Sequence, residues 1–214
     1  MERAVVFDLG GVLIDWNPRY LYRRLFDGDD RAMERFLSTV CTPEWNRRQD
    51  AGRSLAEGTR ELVDRFPEQA DLIRAYYDRW SEMIGGPIAA SVQILGELRG
   101  RDTHLYALSN WSAETFNRVR GEFDFLGWFE GIVVSGEEGT VKPDRAIFRV
   151  LLDRYRLDPR ATVYVDDLPA NVEQARSMGM DGVLFRTPDA LRDELRARDL
   201  LGAAGREVTR GLPE

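Results

Sequence analysis

Only one cysteine, one histidine and one lysine occur among the 214 residues. A lone Cys41 excludes an internal disulfide and a cysteine-rich zinc site. The lone His104 falls early in an apolar segment and reads as structural rather than catalytic. No run approaches the ~18 uninterrupted apolar residues of a membrane span. The start, MERAVVFDLGGVL, lacks both the charged opening and the small-residue cleavage site of a signal peptide. There is no segregated basic patch, and the net charge is −7, which disfavours nucleic acid as a partner. Repeats and low-complexity stretches are absent too. These absences leave a cytoplasmic protein with no nucleic-acid or membrane partner, monomeric or homodimeric. An anionic ligand would need its own pocket of donors.

The scarcity of lysine is itself informative. Of 30 basic residues, all but Lys142 are arginine. Lysine is a compact point charge and arginine a broad fork. Where arginine has spread so widely, the remaining lysine either marks a position that demands the smaller cation or is a surface lysine that survives by chance.

Hydrophobic residues make up 43% of the chain, enough for a core. Short apolar runs rich in β-branched residues fall at 4–8, 103–109, 131–135, 162–166 and 181–185. They are nearly continuous in apolar character, as strands covered on both faces of a parallel sheet are. Helical patterns at 89–98, 113–120, 145–155, 170–178 and 190–198 lie between or after them. This alternation predicts an α/β fold, a doubly wound parallel sheet. The rhythm breaks after the first strand. Residues 15–86 hold no convincing strand and read as helices at 19–26, 31–40, 43–49, 55–66 and 68–83. Ser54 followed by Glu57 matches a capping box, and Gly85-Gly86-Pro87 reads as a hinge back. The expected organisation is a core of 1–14 and 87–201, an all-helical cap of 15–86, and a frayed tail of 202–214.

Four polar segments fall at predicted strand ends: Asp8-Leu9-Gly10-Gly11, Ser109-Asn110, Lys142-Pro143 and Asp166-Asp167. Ligands bind at that edge of an open α/β sheet. Two facing carboxylate sites repel unless a cation or proton intervenes. A small set of oxygen ligands suits Mg²⁺, which takes the rest from water and phosphate. Ser109 and nearby amides can hold phosphate oxygens. Lys142 can neutralise phosphate and keep Asp8 ionised, and an ionised Asp can attack phosphorus.

Taken together, FDLGGVL at 7–13, LSN at 108–110, VKPD at 141–144 and YVDDLPANVEQA at 164–175 resemble the four motifs of the haloacid dehalogenase-like superfamily. The helical insertion matches the placement of that family's cap. The resemblance implies a Rossmann-like core and a Mg²⁺-dependent phosphatase acting on small phosphorylated metabolites, sugar phosphates among them. It implies catalytic roles for Asp8 as nucleophile and for Lys142. Phosphate would be held by Ser109, Asn110, Lys142 and Gly11. Metal would be held by Asp8, Asp167, the carbonyl of Gly10, and Asp166 directly or through water. Family phosphatases usually carry a second Asp, the general acid, where this chain has Gly10. Asp15 is a possible substitute. Trp16, Trp45, Arg47 and Arg48 are candidates for the substrate entrance. The alternatives are a metal-independent 2-haloacid dehalogenase of the same fold, or a regulatory binding protein without turnover.

Overall fold

The computed structural model describes residues 3–101 and 103–202. The tail expected to fray, from 203 onward, lies outside the described residues. The strands are β1 (Arg3–Phe7), β2 (Ile14–Trp16), β3 (Ile84–Pro87), β4 (Thr103–Ser109), β5 (Gly131–Val134), β6 (Thr162–Asp166) and β7 (Asp181–Leu184). Five of them form one parallel sheet in the order β5-β4-β1-β6-β7. β1 sits in the middle, so whatever follows it is flanked by the ends of β4 and β6.

Period-two alternation buries both faces of this sheet. Val5 and Phe7 point into one apolar cluster and Ala4 and Val6 into the other. The helices divide accordingly. α1 (Arg19–Leu25), α2 (Asp30–Thr39), α3 (Pro43–Asp50), α4 (Leu55–Arg65) and α5 (Ala70–Asp78) come between β2 and β3. α6 (Ala89–Arg99), α7 (Ala113–Val119) and α8 (Ser135–Glu138) follow. The last are α9 (Arg145–Tyr155), α10 (Pro169–Ser177) and α11 (Pro188–Ala197). Ile94, Leu95, Phe116, Leu191 and Leu195 cover one face. Ile147, Phe148, Leu151 and Ala175 cover the other. Helices on both faces explain why the strands read as unbroken apolar runs.

Two expectations about the inserted segment need correction. β2 and β3 pair antiparallel where no strand and only a hinge were expected. A three-residue strand and one containing two glycines carry no periodic signal of their own. The helix expected at 68–83 is also broken. A 3-10 turn covers Pro67–Gln69, α5 stops at Asp78, and a second 3-10 turn covers Trp80–Met83. Trp80 turns inward there and packs on Trp16 with ring centroids 5.4 Å apart. The cap at Ser54 does form, its Oγ accepting from the Glu57 amide at 3.2 Å. The Glu57 carboxylate, however, takes the Ser54 hydroxyl at 2.7 Å.

The helical segment is tied to the core by polar contacts. The Leu55 amide donates to Glu114 at 2.9 Å, Ser135 Oγ to the Asp50 carbonyl at 2.6 Å, and Arg118 to the Tyr77 carbonyl at 2.8 Å. The last residues of α3 are thereby fixed over the C-terminal edge of the sheet.

Candidate active site

The parallel topology collects the chemistry-bearing residues at one edge. Asp8 directly follows β1, Ser109 and Asp166 end β4 and β6, and Lys142 sits in the loop after α8. Lys142 is the hub. Its side chain is 1% exposed. Its Nζ donates to the Leu108 carbonyl at 2.8 Å and Asp166 Oδ2 at 2.7 Å, and lies 2.9 Å from Asp8 Oδ2. An ammonium has three protons, so three acceptors satisfy it. Burial pulls its pKa down, but the facing Asp8 and Asp166 carboxylates outweigh that and hold it above the usual lysine range.

Asp166 is completely buried and surrounded by donors. Beyond Lys142, its oxygens accept from the Tyr164 hydroxyl at 2.6 Å, the Leu168 amide at 2.9 Å and the Asn171 amide at 3.0 and 3.1 Å. Burial would raise its pKa; Lys142 and these donors win and hold it below the ordinary value. Two carboxylate oxygens offer about four acceptor sites. Here they are spent on protein donors, so Asp166 reads as the anchor of Lys142 more than as a direct metal ligand. Tyr164 was not singled out from the sequence. Its period-two position, pointing back at Asp166 from the same strand, was the signal available.

Asp8 is buried, and desolvation pushes its carboxyl up to about 7. Lys142 opposes this, while Asp166 and Asp167 add to it. The partly exposed Asp167 is raised by burial and by Asp166. Oxygens of Asp8, Asp166 and Asp167 lie within 4.8 Å of one another. When all are ionised, three carboxylates face one ammonium. The two uncompensated negative charges match one divalent cation, and an all-oxygen donor set suits a hard one. On chemistry and charge, the residues present fit Mg²⁺.

Two residues expected to hold phosphate have other employment. The Asn110 side chain donates to the Lys142 carbonyl at 3.0 Å and accepts from the Lys142 amide at 2.7 Å. Both its polar ends fix the lysine backbone. The Gly11 amide donates to the Ile14 carbonyl at 2.9 Å. What Gly11 supplies is room: its φ is +74°, and a Cβ there would lie 2.6 Å from Asp167 Oδ2. Ser109 is buried at the tip of β4 as expected.

Other candidates sort by position. Trp45 is core, its indole N–H donating to the Gly58 carbonyl at 3.0 Å. Asp15 accepts from the Tyr20 hydroxyl at 2.7 Å and packs against Gly85. Arg48 pairs with Glu61 at 3.1 Å. His104 pairs with Glu130 at 2.7 Å, near the opposite end of β4 from Ser109.

Two cavities with shared walls lie between the helical segment and the sheet edge. The inner, about 70 Å³, is walled by Gly10, Trp16, Asn46, Asp50, Trp80, Asn110 and Trp111. The outer, about 470 Å³, shares Trp16, Asn46, Asp50 and Asn110 and adds Leu37, Tyr76, Leu168 and Arg47 among others. Sequence reasoning missed Asp50 and Trp111, which carry no local motif.

A model of the haloacid dehalogenase-like hydrolases matches residues 2–179. The chain is 27% identical to sesquiterpene phosphatase astK of Aspergillus oryzae, covering 94% of this chain and 97% of that one. It is 24% identical to a phosphorylated carbohydrates phosphatase of Thermotoga maritima, covering 84% and 83%. Some curated relatives are longer, and the chain spans 38% and 19% of two of them. A HAD family enzyme of Bacteroides thetaiotaomicron, solved in complex with magnesium and inorganic phosphate, shares the fold at TM-score 0.66 and 21% identity, covering 87% and 95%. No helix among the described residues is long and apolar enough to cross a membrane.

Proposed function

The chain belongs to the haloacid dehalogenase-like hydrolases, and from that premise we propose that it is a Mg²⁺-dependent phosphohydrolase of small phosphorylated metabolites, with Asp8 as nucleophile. The observation that carries this reading is the charge arrangement: Asp8 and Asp166 share Lys142, and Asp167 brings a third carboxylate to the same point. Such a cluster calls for a divalent cation, and a cation calls for an anionic substrate. It weighs against the dehalogenase alternative, which has no use for two uncompensated charges.

In this reading Asp8, Asp167 and the Gly10 carbonyl would hold a metal ion, while Asp166 anchors Lys142. Bound there, such an ion would neutralise phosphate charge and lower the pKa of its carboxylate ligands. Lys142 holds the Asp8 carboxylate in one orientation and offers its charge to the incoming phosphate. An Asp8 oxygen attacks phosphorus, the leaving oxygen departs with its bonding pair, and an aspartyl-phosphate forms. Water then attacks phosphorus and returns Asp8.

The organic part of the substrate would occupy the outer cavity under the helical segment, which acts as the cap. Leu37, Tyr76 and Leu168 suit an apolar body, and Trp16, Asn46 and Arg47 suit a hydroxylated one. Sugar phosphates are therefore the first class to screen, and the Aspergillus relative's name adds sesquiterpenyl phosphates. The test is phosphate release from such a panel with Mg²⁺ and with EDTA, for the wild type and Asp8→Asn. Turnover that survives EDTA, or Asp8→Asn, would sink the reading.

A further inference from the structure

Resting on that phosphatase reading, we propose that Asp50 is the general acid–base of this site, giving the leaving oxygen its proton from the helical side of the inner cavity. A departing alkoxide or phenoxide needs a proton, and a positioned donor speeds such a step ~10²–10⁴-fold. From the sheet edge come Gly10, which has no side chain, and Asn110 and Trp111, which follow β4. Besides Gly10, the walls are three tryptophans, two asparagines and Asp50. Indole and amide N–H groups do not give up protons at ordinary pH. Asp50 is thus the one acid on that wall.

The cavity is small. At about 10–15 Å³ per water, its ~70 Å³ admits a few waters or the reacting end of a substrate. Asp50 is held in place rather than waving. Asn46 Nδ2 donates to its Oδ2 at 2.9 Å, the Ser112 amide donates to the carboxylate, and Ser135 holds its main-chain carbonyl. The charged and titratable groups facing it are Arg47 of its own helix and the Tyr76 and Tyr77 hydroxyls of α5. Burial pushes the carboxyl up to about 7, with the Ser112 amide and Arg47 pulling the other way. A carboxylic acid protonated near neutral pH is a competent donor.

The indoles say something about the leaving group. Nε1 of Trp16, Trp80 and Trp111 are all buried without a protein acceptor, and all three residues line this cavity. An indole N–H can only donate. An occupant that brings oxygen acceptors would supply the partners these donors lack.

The steps balance. As Asp8 attacks phosphorus, the P–O bond to the leaving group breaks. The bonding pair stays on the leaving oxygen, which takes the Asp50 proton and departs as an alcohol. Water then attacks the phosphorus of the aspartyl-phosphate and passes a proton to the Asp50 carboxylate. The P–O bond to Asp8 breaks with its pair returning to Asp8, and phosphate leaves.

The test uses substituted phenyl phosphates, from p-nitrophenyl to p-methylphenyl, with Mg²⁺. It reads kcat/KM, which reports the first step, against leaving-group pKa. The wild type is expected to show a shallow dependence. Asp50→Asn keeps the shape and should lose at least ~10-fold on the p-methylphenyl ester and little on the p-nitrophenyl ester. Asp50→Asn/Gly10→Asp should recover the shallow dependence, because a Cβ at Gly10 meets no atom within 4 Å. Equal losses across the series, or a steep dependence already in the wild type, overturn the role of Asp50. The wild-type slope needs no variant to fold. Mg²⁺-dependent turnover abolished by Asp8→Asn shows in the same experiment that the phosphatase reading stands; its absence overturns that reading and this proposal together.

Discussion

Replacing Lys142 by Met removes the one cation from a buried cluster of carboxylates. The Nζ is within 2.9 Å of three acceptors, two of them Asp8 and Asp166. Breaking a buried ion pair by deleting one partner costs about 3–5 kcal/mol, because the other partner stays buried and uncompensated. For a chain of this size 1 kcal/mol moves Tm by about 2–4 °C. The variant should therefore melt roughly 6–20 °C below wild type at pH 8. The loss should be smaller at pH 5, where protonation neutralises the stranded carboxylates. Mg²⁺ should restore part of it by supplying the missing charge. Turnover should fall at least ~10²-fold, the scale of losing one preorganised charge in an active site. Lys142→Arg tests geometry separately from charge. The guanidinium keeps the charge, but its fork is wider than a slot where one nitrogen meets three acceptors, so activity should still be poor. Thermal melts with and without Mg²⁺, together with kcat on a common substrate, decide the matter. A Lys142→Met protein melting within 2 °C of wild type at pH 8, or a Lys142→Arg protein with near-normal kcat, would refute the reasoning.

Three further outcomes are expected. Gly11→Ala puts a Cβ 2.6 Å from Asp167 Oδ2 at φ +74°. It should cost ~1–3 kcal/mol in stability and weaken Mg²⁺ binding at least ~10-fold by calorimetry, while Gly10→Ala, with open space around it, should melt like wild type. Asp50 contributes stability through its raised pKa, about 7 against an ordinary 3.8. The folded state binds that proton more tightly, so the contribution is full below the unfolded pKa and is lost as pH rises through 7. Denaturant melts should show wild type losing roughly 2–3 kcal/mol relative to Asp50→Asn between pH 5 and pH 8, and a pH-independent gap would contradict this. Asn110→Ala frees the Lys142 backbone, so kcat should fall ~10-fold while inhibition by inorganic phosphate changes little. A large rise in the phosphate inhibition constant would instead make Asn110 a phosphate ligand.

Much of this protein was legible in its order of residues. Unbroken apolar runs separated by amphipathic stretches determine a sheet covered on both faces, and β4, β6 and α9 fall where those patterns predict. The motif residues are legible because parallel strands put their C-terminal ends on one edge, so Asp8, Ser109 and Asp166 meet there whatever the loops do. The lone lysine drew notice in the sequence, but the space sized for one nitrogen and three acceptors is a feature of the fold. What only the tertiary structure decided is which atoms remain free for chemistry. Asn110 and Gly11 carry suitable groups, and packing engages one amide proton and the oxygen of Asn110 with Lys142 and the Gly11 amide with Ile14. Asp166 looks like Asp167 in sequence, yet one is saturated by buried donors and the other stays partly exposed above Gly11. Asp50 was invisible for the opposite reason. It sits at the end of an ordinary amphipathic helix, and its half-buried place in one cavity with Gly10 arises only when that helix docks over the sheet edge. Local patterning depends on neighbours a few residues away, whereas desolvation and hydrogen-bond competition depend on groups that chain folding brings from far along the chain, as Asp50 and Ser135, 85 residues apart, show.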